Sequence, residues 1–263
     1  MKTARFFFTL LAFMTFSFSL SAQSNEQTWY IIDYMKTKPG MADKYVECEK
    51  AWKAIHADRV KKGVIVGWEL FQVGFPAGAN TEYNYATVTT VKGGWQGYGK
   101  LYADWDNDYM KLVPKDKVTL VENTESYREL VKTEVHSMQD GAFAKGNKPF
   151  KYAMINYFDV PDGHWDEYYN METKLVKPVH QIDIDAGKRI GWILDAIAIP
   201  TAHDTYDAVT VDLYENWNDV GGSTEGAWKK VHPEMSDEYI SRQIEGTRKM
   251  VKQEMWILLD NIQ

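Results

Sequence analysis

Two histidines stand at the start of two similar motifs. Both motifs have the form His-x6-Gly-x3-Gly-Trp, and they consist of His56, Gly63, Gly67 and Trp68 and of His180, Gly187, Gly191 and Trp192. A neutral imidazole donates one hydrogen bond, accepts another and titrates near neutral pH. The motifs therefore predict that His56 and His180 face pockets as general bases or as anchors for a ligand. The alternative is that each histidine packs the end of a helix on the following strand.

The tryptophans of the two motifs follow directly after a glycine. Trp68 and Trp192 are placed where the backbone can come close to a flat ligand, on which an indole ring can stack. We predict that they bind the ligand beside the histidine. The alternative is that they belong to the hydrophobic core at the start of a strand.

A second recurring pair combines a cation with a carboxylate. Arg128 precedes Glu134 with the same spacing as Arg248 precedes Glu254. If the last strand of each half reaches a pocket, the arginine can bind a carboxylate and the glutamate can act as a base or pair with the histidine. The alternative is a structural ion pair that fixes how two symmetric units dock.

A glutamate also precedes each histidine by about two helical turns. Glu47 or Glu49 occupies this place before His56, and Glu172 occupies it before His180. A carboxylate here can orient the imidazole, or it can lie on a solvated helix face. Because an insertion between the halves falls either in a turn or in the helix, the sequence leaves open which glutamate corresponds to Glu172.

The elements that position these residues recur in the same order. Each half begins with an aromatic and β-branched run that ends at a Pro/Gly turn, which is typical of a strand. A long helix, a β-hairpin, a broken helical segment and a last strand follow. The helices are predicted over 41–62 and 164–186, the hairpins over 64–90 and 188–214, and the last strands near 132–138 and 252–258.

Four details of these elements remain to be tested. Gly63 and Gly187 are placed to end the long helices in a left-handed conformation. Pro178 is expected to kink or interrupt the second helix. For the last elements, helix throughout is the competing interpretation, because the apolar pattern is ambiguous over so short a run. The repeat also pairs Ala86 with Ala208 in the second strand of each hairpin.

The order β-α-β-β-α-β, found twice, defines the ferredoxin-like unit. The chain resembles the dimeric α/β-barrel superfamily, which implies an α+β fold in which tandem duplicated ferredoxin-like units pack sheet to sheet as a pseudo-dimeric barrel. The predicted units are 28–140 and 151–263, joined by a linker over 141–150. The resemblance implies a pocket between sheet and helices in each unit. Members include cofactor-free monooxygenases, isomerases, cyclases and haem-binding enzymes, so the fold does not decide the function.

The composition limits the classes of molecule that the protein is expected to bind. The chain has 263 residues, 44% of them apolar, and a formal net charge of −7 without a basic cluster, which disfavours nucleic acid and anionic membranes. Residues 1–22 have the basic start, apolar run and small-residue end of a secretory signal peptide. We therefore expect an exported protein, periplasmic or extracellular, without a membrane span after cleavage. Its single cysteine, Cys48, cannot form an internal disulfide.

No zinc-binding, nucleotide-binding or Ser/Cys hydrolase motif is present in the sequence, so we predict no metal site and no cofactor, although haem stays open. The main prediction is a monomeric exported protein that binds a small molecule in each repeat, with aromatic compounds among the candidate ligands. One alternative is a cofactor-independent monooxygenase, isomerase or cyclase that uses His56 or His180 as general base. Another is a non-catalytic structural or interaction module.

Overall fold

Eight antiparallel strands close into one barrel in the computed structural model, which describes residues 27–104, 109–146, 148–200 and 205–263. The order around the barrel is β1-β3-β2-β8-β5-β7-β6-β4, with β4 paired to β1. The strands are β1 (Thr28–Thr37), β2 (Gly67–Phe75), β3 (Tyr85–Lys92), β4 (Arg128–Phe143), β5 (Tyr152–Asp159), β6 (Gly191–Ile199), β7 (Ala208–Tyr214) and β8 (Lys249–Ile262).

The helices pack on the outer face of this barrel. The two long helical runs follow β1 and β5, and the remaining helices are short. They are α1 (Ala42–Lys61), α2 (Trp95–Ala103), α3 (Val118–Glu122), α4 (Thr124–Tyr127), α5 (Trp165–Asn170), α6 (Lys177–Asp185), α7 (Ala227–Val231) and α8 (Asp237–Thr247). None of the helices within the described ranges is long and apolar enough to cross a membrane. The predicted signal peptide lies outside the described residues.

The two halves of the barrel have the same internal strand order. The first four strands are arranged β4-β1-β3-β2 and the last four β8-β5-β7-β6. The halves are joined through β2 with β8 and through β4 with β6. The sheets therefore meet edge to edge in a single α+β barrel. The sequence predicted that two sheets pack face to face, whereas the halves are joined along the edges of their sheets.

The strand registers correct one residue match between the halves. Tyr34 pairs with Ala86, whereas Tyr157, in the same place in the second half, pairs with Val209. Ala86 therefore corresponds to Val209, and the match with Ala208 was wrong by one position. Because a shift of one residue turns every side chain to the other face of a strand, this correction decides which residues face the helices.

The second long helical run contains one extra residue. A π-helical segment, Met171–Val176, lies between α5 and α6, and Pro178 follows it at the start of α6. A proline lacks the backbone N–H of a regular helix, so the interruption lies where expected. One inserted residue is commonly accommodated by such a π-turn. Glu49 precedes His56 by seven positions and Glu172 precedes His180 by eight, which makes Glu49 the counterpart of Glu172.

The predicted ends of the elements are largely confirmed. Gly63 and Gly187 follow the long helices with φ of 68° and 74°, as left-handed positions require. The last element of each half is a strand, and helix throughout is wrong. Both strands are longer than predicted, and β4 covers the first three residues of the segment predicted as a linker.

A pair of glycines in α2 offers a test of how closely this helix approaches β3. A Cβ atom on Gly97 would collide with the backbone carbonyl of Lys92, whereas one on Gly99 would meet nothing within 4 Å. We expect Gly97→Ala to lower the free energy of unfolding by about 1–3 kcal/mol. Gly99→Ala is the matched control and should raise it by up to about 1 kcal/mol, because alanine favours helix. Urea denaturation measures both, and equal effects would contradict the close approach.

Candidate functional site

Two pockets lie between the outer face of the barrel and the helices, one in each half. Their volumes are about 210 Å³ in the first half and about 470 Å³ in the second. Each pocket contains the histidine, tryptophan and arginine predicted from the sequence, together with the glutamate that precedes the histidine. These residues are His56, Trp68, Arg128 and Glu49 in the first pocket and His180, Trp192, Arg248 and Glu172 in the second.

In the first pocket the histidine and tryptophan form a stack. The rings of His56 and Trp68 are 4.8 Å apart between centroids and 9° from parallel. Burial, followed by the nearby Arg59 charge, lowers the pKa of His56 to about 3. The imidazole is therefore neutral near pH 7. Its Nδ1 atom is buried and has no hydrogen-bond partner within the described part of the chain, which leaves it for a ligand.

The second pocket has a looser version of the same arrangement. His180 lies 5.6 Å from Trp192 with a tilt of 34°. Burial, and then Arg189, lowers the pKa of His180 to about 3. A group with so low a pKa is a weak proton acceptor at neutral pH. Both histidines are better suited to hydrogen bonding with a ligand than to the role of general base.

The glutamate of the first pocket has the properties of a base. Glu49 is only 5% exposed, and burial raises its pKa to about 7 against the opposing charge of Arg128. The neighbouring Glu47 instead has a 40% exposed side chain that forms ion pairs with Lys44 and Lys117. The two candidates that the sequence left open are therefore separated: Glu49 faces the pocket and Glu47 faces the solvent.

The corresponding carboxylate of the second pocket is held by a cation. Glu172 is fully buried and forms an ion pair with Arg248. The guanidinium also lies over the ring of Phe158, 3.9 Å from its centroid. The carboxylate of the second pocket is therefore engaged by its own arginine. The two pockets thus share residue types but differ in the state of their carboxylates.

The alternative of a structural ion pair, between Arg128 and Glu134 and between Arg248 and Glu254, is wrong. Residues six apart share a face in a regular strand, but β4 and β8 each contain a bulge between the arginine and the glutamate. The extra residue turns the two side chains to opposite faces. The arginines therefore line the outer pockets, and the glutamates point into the barrel.

Inside the barrel, Glu134 and Glu254 form a buried polar network with a twofold pattern. Glu134 accepts hydrogen bonds from Tyr34, at 2.9 Å, and Tyr206, at 2.6 Å. Glu254 accepts the equivalent bonds from Tyr157, at 3.1 Å, and Tyr83, at 2.7 Å.

The network also contains one lysine from each half. Lys132 and Lys252 each lie 3.1 Å from the glutamate of their own strand. The Tyr34 and Tyr157 hydroxyls meet at 3.5 Å where the halves come together. Glu134 and Glu254 consequently join the halves of the barrel and do not line the outer pockets.

Sequence reasoning missed the residues that differ between the halves inside the barrel. His136 is 1% exposed, and Asp195 is 2% exposed. The alternating polar residues Lys132, Glu134 and His136 suggest a solvent-facing strand, and only barrel closure shows that this face is internal. The sequence did contain one signal of this difference: His136 has no polar counterpart in the second half, where Trp256 occupies the corresponding position.

Comparisons with known proteins identify the fold. No family model and no curated protein sequence matches the chain. Among solved structures, a candidate monooxygenase from Fusobacterium nucleatum is similar with a TM-score of 0.56 at 9% identity, over 90% of this chain and 94% of that chain. A candidate monooxygenase from Lactobacillus acidophilus has a TM-score of 0.51 at 12% identity, over 89% and 94%.

A chlorite dismutase variant from Candidatus Nitrospira defluvii has a TM-score of 0.50 at 8% identity, over 90% of this chain and 92% of that chain. At this level of identity the likeness shows a shared fold alone. The chain thus has the architecture of dimeric α/β-barrel proteins, with both halves of the barrel in one polypeptide.

The lining of the pockets can be compared with what a metal ion or a haem group requires. Within the described ranges, no three His, Cys, Asp or Glu side chains are arranged to hold a metal ion. An axial imidazole is one of the side chains that can hold haem iron, and the faces of the porphyrin are apolar. His180 supplies a neutral imidazole, but the lining of the second pocket includes the charged side chains of Glu172, Arg189, Asp212 and Arg248. These residues do not fit the apolar faces of a porphyrin.

Proposed function

We propose that the chain is a cofactor-independent enzyme that removes a proton from a small organic substrate in the first pocket, with Glu49 as the base. The observation that carries this proposal is a buried carboxyl with a pKa of about 7 that lines a pocket. A base is most effective when its pKa lies near the working pH. At pH 7 about half of such carboxyls are ionised, so Glu49 can accept a proton and return it.

Other groups of the first pocket suit the anion that proton removal creates. The Nε atom of Arg128 is buried and lacks a hydrogen-bond partner among the described residues, and a guanidinium stabilises a developing negative charge. The His56 and Trp68 stack offers a flat surface for an aromatic or enolic substrate. His56 is proposed as a hydrogen-bonding group that positions the substrate. The substrate class is therefore a small enolisable ketone or phenol.

Two of the similar structures are described as candidate monooxygenases, which favours an enzyme of this class. The carbanion formed from an activated substrate would react with dioxygen in a monooxygenase or be reprotonated in an isomerase. Both outcomes begin with the same proton transfer. The second pocket, whose carboxylate is paired with Arg248, is better suited to binding than to this chemistry, with Trp192 and Arg248 as its proposed ligand contacts.

The test compares two neighbouring glutamates. A panel of phenols, enolisable ketones and polycyclic aromatic ketones is followed by product formation and oxygen consumption. Glu49→Gln is expected to lower kcat/KM by a factor of about 10² to 10⁴, because it removes the base. Glu47→Gln is the matched control and should retain activity. In the wild type, kcat/KM should rise with pH up to about 7, as Glu49 loses its proton. Turnover that survives in Glu49→Gln would overturn the assignment.

A second candidate function is ligand binding without catalysis, and the size of the second pocket, about 470 Å³, favours it. If no panel compound is converted, binding measured by calorimetry and its loss in His180→Ala would support this function. A Soret band that appears on titration with haem would instead support haem binding.

We propose that the two halves are tandem copies of one ferredoxin-like unit, because their strands have the same order. We also propose that the protein is exported and monomeric. Residues 1–22 support export, and the closure of the barrel within one chain supports a monomer. Sequencing the N-terminus of the protein recovered from its producing cells, and light scattering, are the measurements that check these proposals.

A further inference from the structure

A third cavity lies inside the barrel, apart from the two outer pockets. Its volume is about 110 Å³. An apolar cavity of about 150 Å³ is large enough to hold benzene in an engineered protein. The internal cavity has about three quarters of that volume, so a single aromatic ring is the largest group that it can take. Phe150, from the segment between β4 and β5, also lines it.

The polar residues of this cavity break the symmetry of the barrel. Tyr30, Glu69, His136 and Asp195 line it. The strand registers place an apolar residue at the corresponding position of the other half in every case: Ala153 for Tyr30, Ile193 for Glu69, Trp256 for His136 and Phe71 for Asp195. Packing of a symmetric core does not require polar groups at these four positions.

Three of the four polar residues lie on one wall, whereas Glu69 lies on β2 in the facing wall. Tyr30, His136 and Asp195 come from the adjacent strands β1, β4 and β6. The facing wall includes Phe71 from β2 and Trp256 from β8, which are also adjacent. The cavity therefore presents an aromatic surface to one side of a ligand and hydrogen-bonding groups to the other.

Two polar atoms on the first wall lack partners among the described residues. These are Nδ1 of His136 and Oδ1 of Asp195. Nδ1 lies 3.9 Å from the other oxygen of Asp195, which is too far for a hydrogen bond. Buried polar atoms without partners are uncommon and indicate a missing partner.

The missing partner must both accept and donate. Burial opposes protonation of His136, but the carboxylates of Asp195 and Glu134 outweigh it and raise the pKa of this histidine. With a proton on Nδ1 the imidazole donates there, and Oδ1 of the Asp195 carboxylate accepts. A single hydroxyl group can satisfy both atoms, since it accepts one hydrogen bond and donates another.

We propose that the barrel interior is a binding site for a small phenol, whose ring lies against Phe71 and Trp256 and whose hydroxyl bridges His136 and Asp195. An ordered water can bridge the same atoms, and the experiment distinguishes the two occupants. This site is independent of the proposed chemistry in the first pocket.

The test uses calorimetric titration of the full chain with phenol and with benzene. Phenol is expected to bind at least tenfold more tightly than benzene. Asp195→Asn, which keeps the shape of the side chain, should remove most of this preference. Ala153→Leu, which fills the cavity, should abolish the binding of benzene and the Asp195-dependent binding of phenol. Glu47→Gln, a change at a solvent-facing side chain outside the cavity, should change the Kd of phenol less than twofold.

Three results would overturn the site. Phenol that does not bind, or binds no better than benzene, would indicate a cavity filled by water. Asp195-dependent phenol binding that is retained in Ala153→Leu would place the ligand outside the barrel. A preference for phenol unchanged in Asp195→Asn would show that Asp195 does not receive the hydroxyl. Thermal denaturation of each variant confirms that it is folded.

Discussion

Glu254→Leu is expected to lower the free energy of unfolding by about 3–5 kcal/mol, because it leaves a partly buried lysine without its carboxylate. Lys252 lies 3.1 Å from Glu254 and donates to Tyr83 at 2.6 Å. Trp256 donates to the same carboxylate at 3.0 Å. The substitution therefore removes the common acceptor of the lysine, two tyrosines and a tryptophan inside the barrel.

The size of this effect is checked by thermal and urea denaturation. For a protein of this length, each kcal/mol corresponds to a change in Tm of about 2–4 °C. Glu129→Leu is the matched control, since Glu129 is an exposed glutamate on β4, and it should change the stability by less than about 0.5 kcal/mol.

The double variant Lys252→Met/Glu254→Leu separates charge from packing. Replacing both members of a buried pair by apolar residues is often neutral, so the double variant should recover part of the loss. Equal losses in the single and double variants would contradict the interpretation that the uncompensated lysine dominates.

The strands and long helices could be predicted because their signals are local. Trp29–Tyr34 and Tyr152–Tyr157 are aromatic and β-branched runs, and both form strands. The helix ends at Gly63 and Gly187 follow from the φ that only glycine adopts without strain. His56 and His180 could be placed in pockets because the helix end and the next strand fix the position of each imidazole.

The directions of the side chains on the last strands could not be predicted. They depend on a bulge in β4 and another in β8, and a bulge is set by pairing with a neighbouring strand. For this reason Arg128 and Glu134 appear from their spacing to share a face but do not. The interior role of His136 likewise depends on β6, which follows about sixty residues later in the sequence and supplies Asp195 to the same cavity.

The sequence also could not show which glutamate lies in each pocket. The deciding feature is the π-helical segment Met171–Val176, which takes up the extra residue of the second half. With this insertion located, Glu49 and Glu172 become counterparts with opposite behaviour. Burial raises the pKa of Glu49 to about 7, whereas Glu172 is bound by Arg248.

This difference leads to the second large expected effect. Arg248→Met should lower the free energy of unfolding by about 3–5 kcal/mol at pH 7, because it leaves the fully buried Glu172 without its cation. Methionine preserves much of the apolar stem that packs near Phe158. Arg128→Met in the first half is the matched control, and its cost should be smaller because Glu49 is already partly neutral at this pH.

The pH dependence distinguishes loss of charge pairing from loss of packing. A buried carboxyl without a cation has a folded-state pKa above its unfolded value of about 4.3. Such a group stabilises the folded state below the unfolded value and loses that contribution as the pH rises. The deficit of Arg248→Met relative to the wild type should therefore be small near pH 4.5 and largest above pH 7, as measured by urea denaturation at both values. Adding Glu172→Gln should remove this pH dependence. A deficit that is equal at both pH values would show that the arginine stabilises the second pocket by contact with Phe158 and not by its charge.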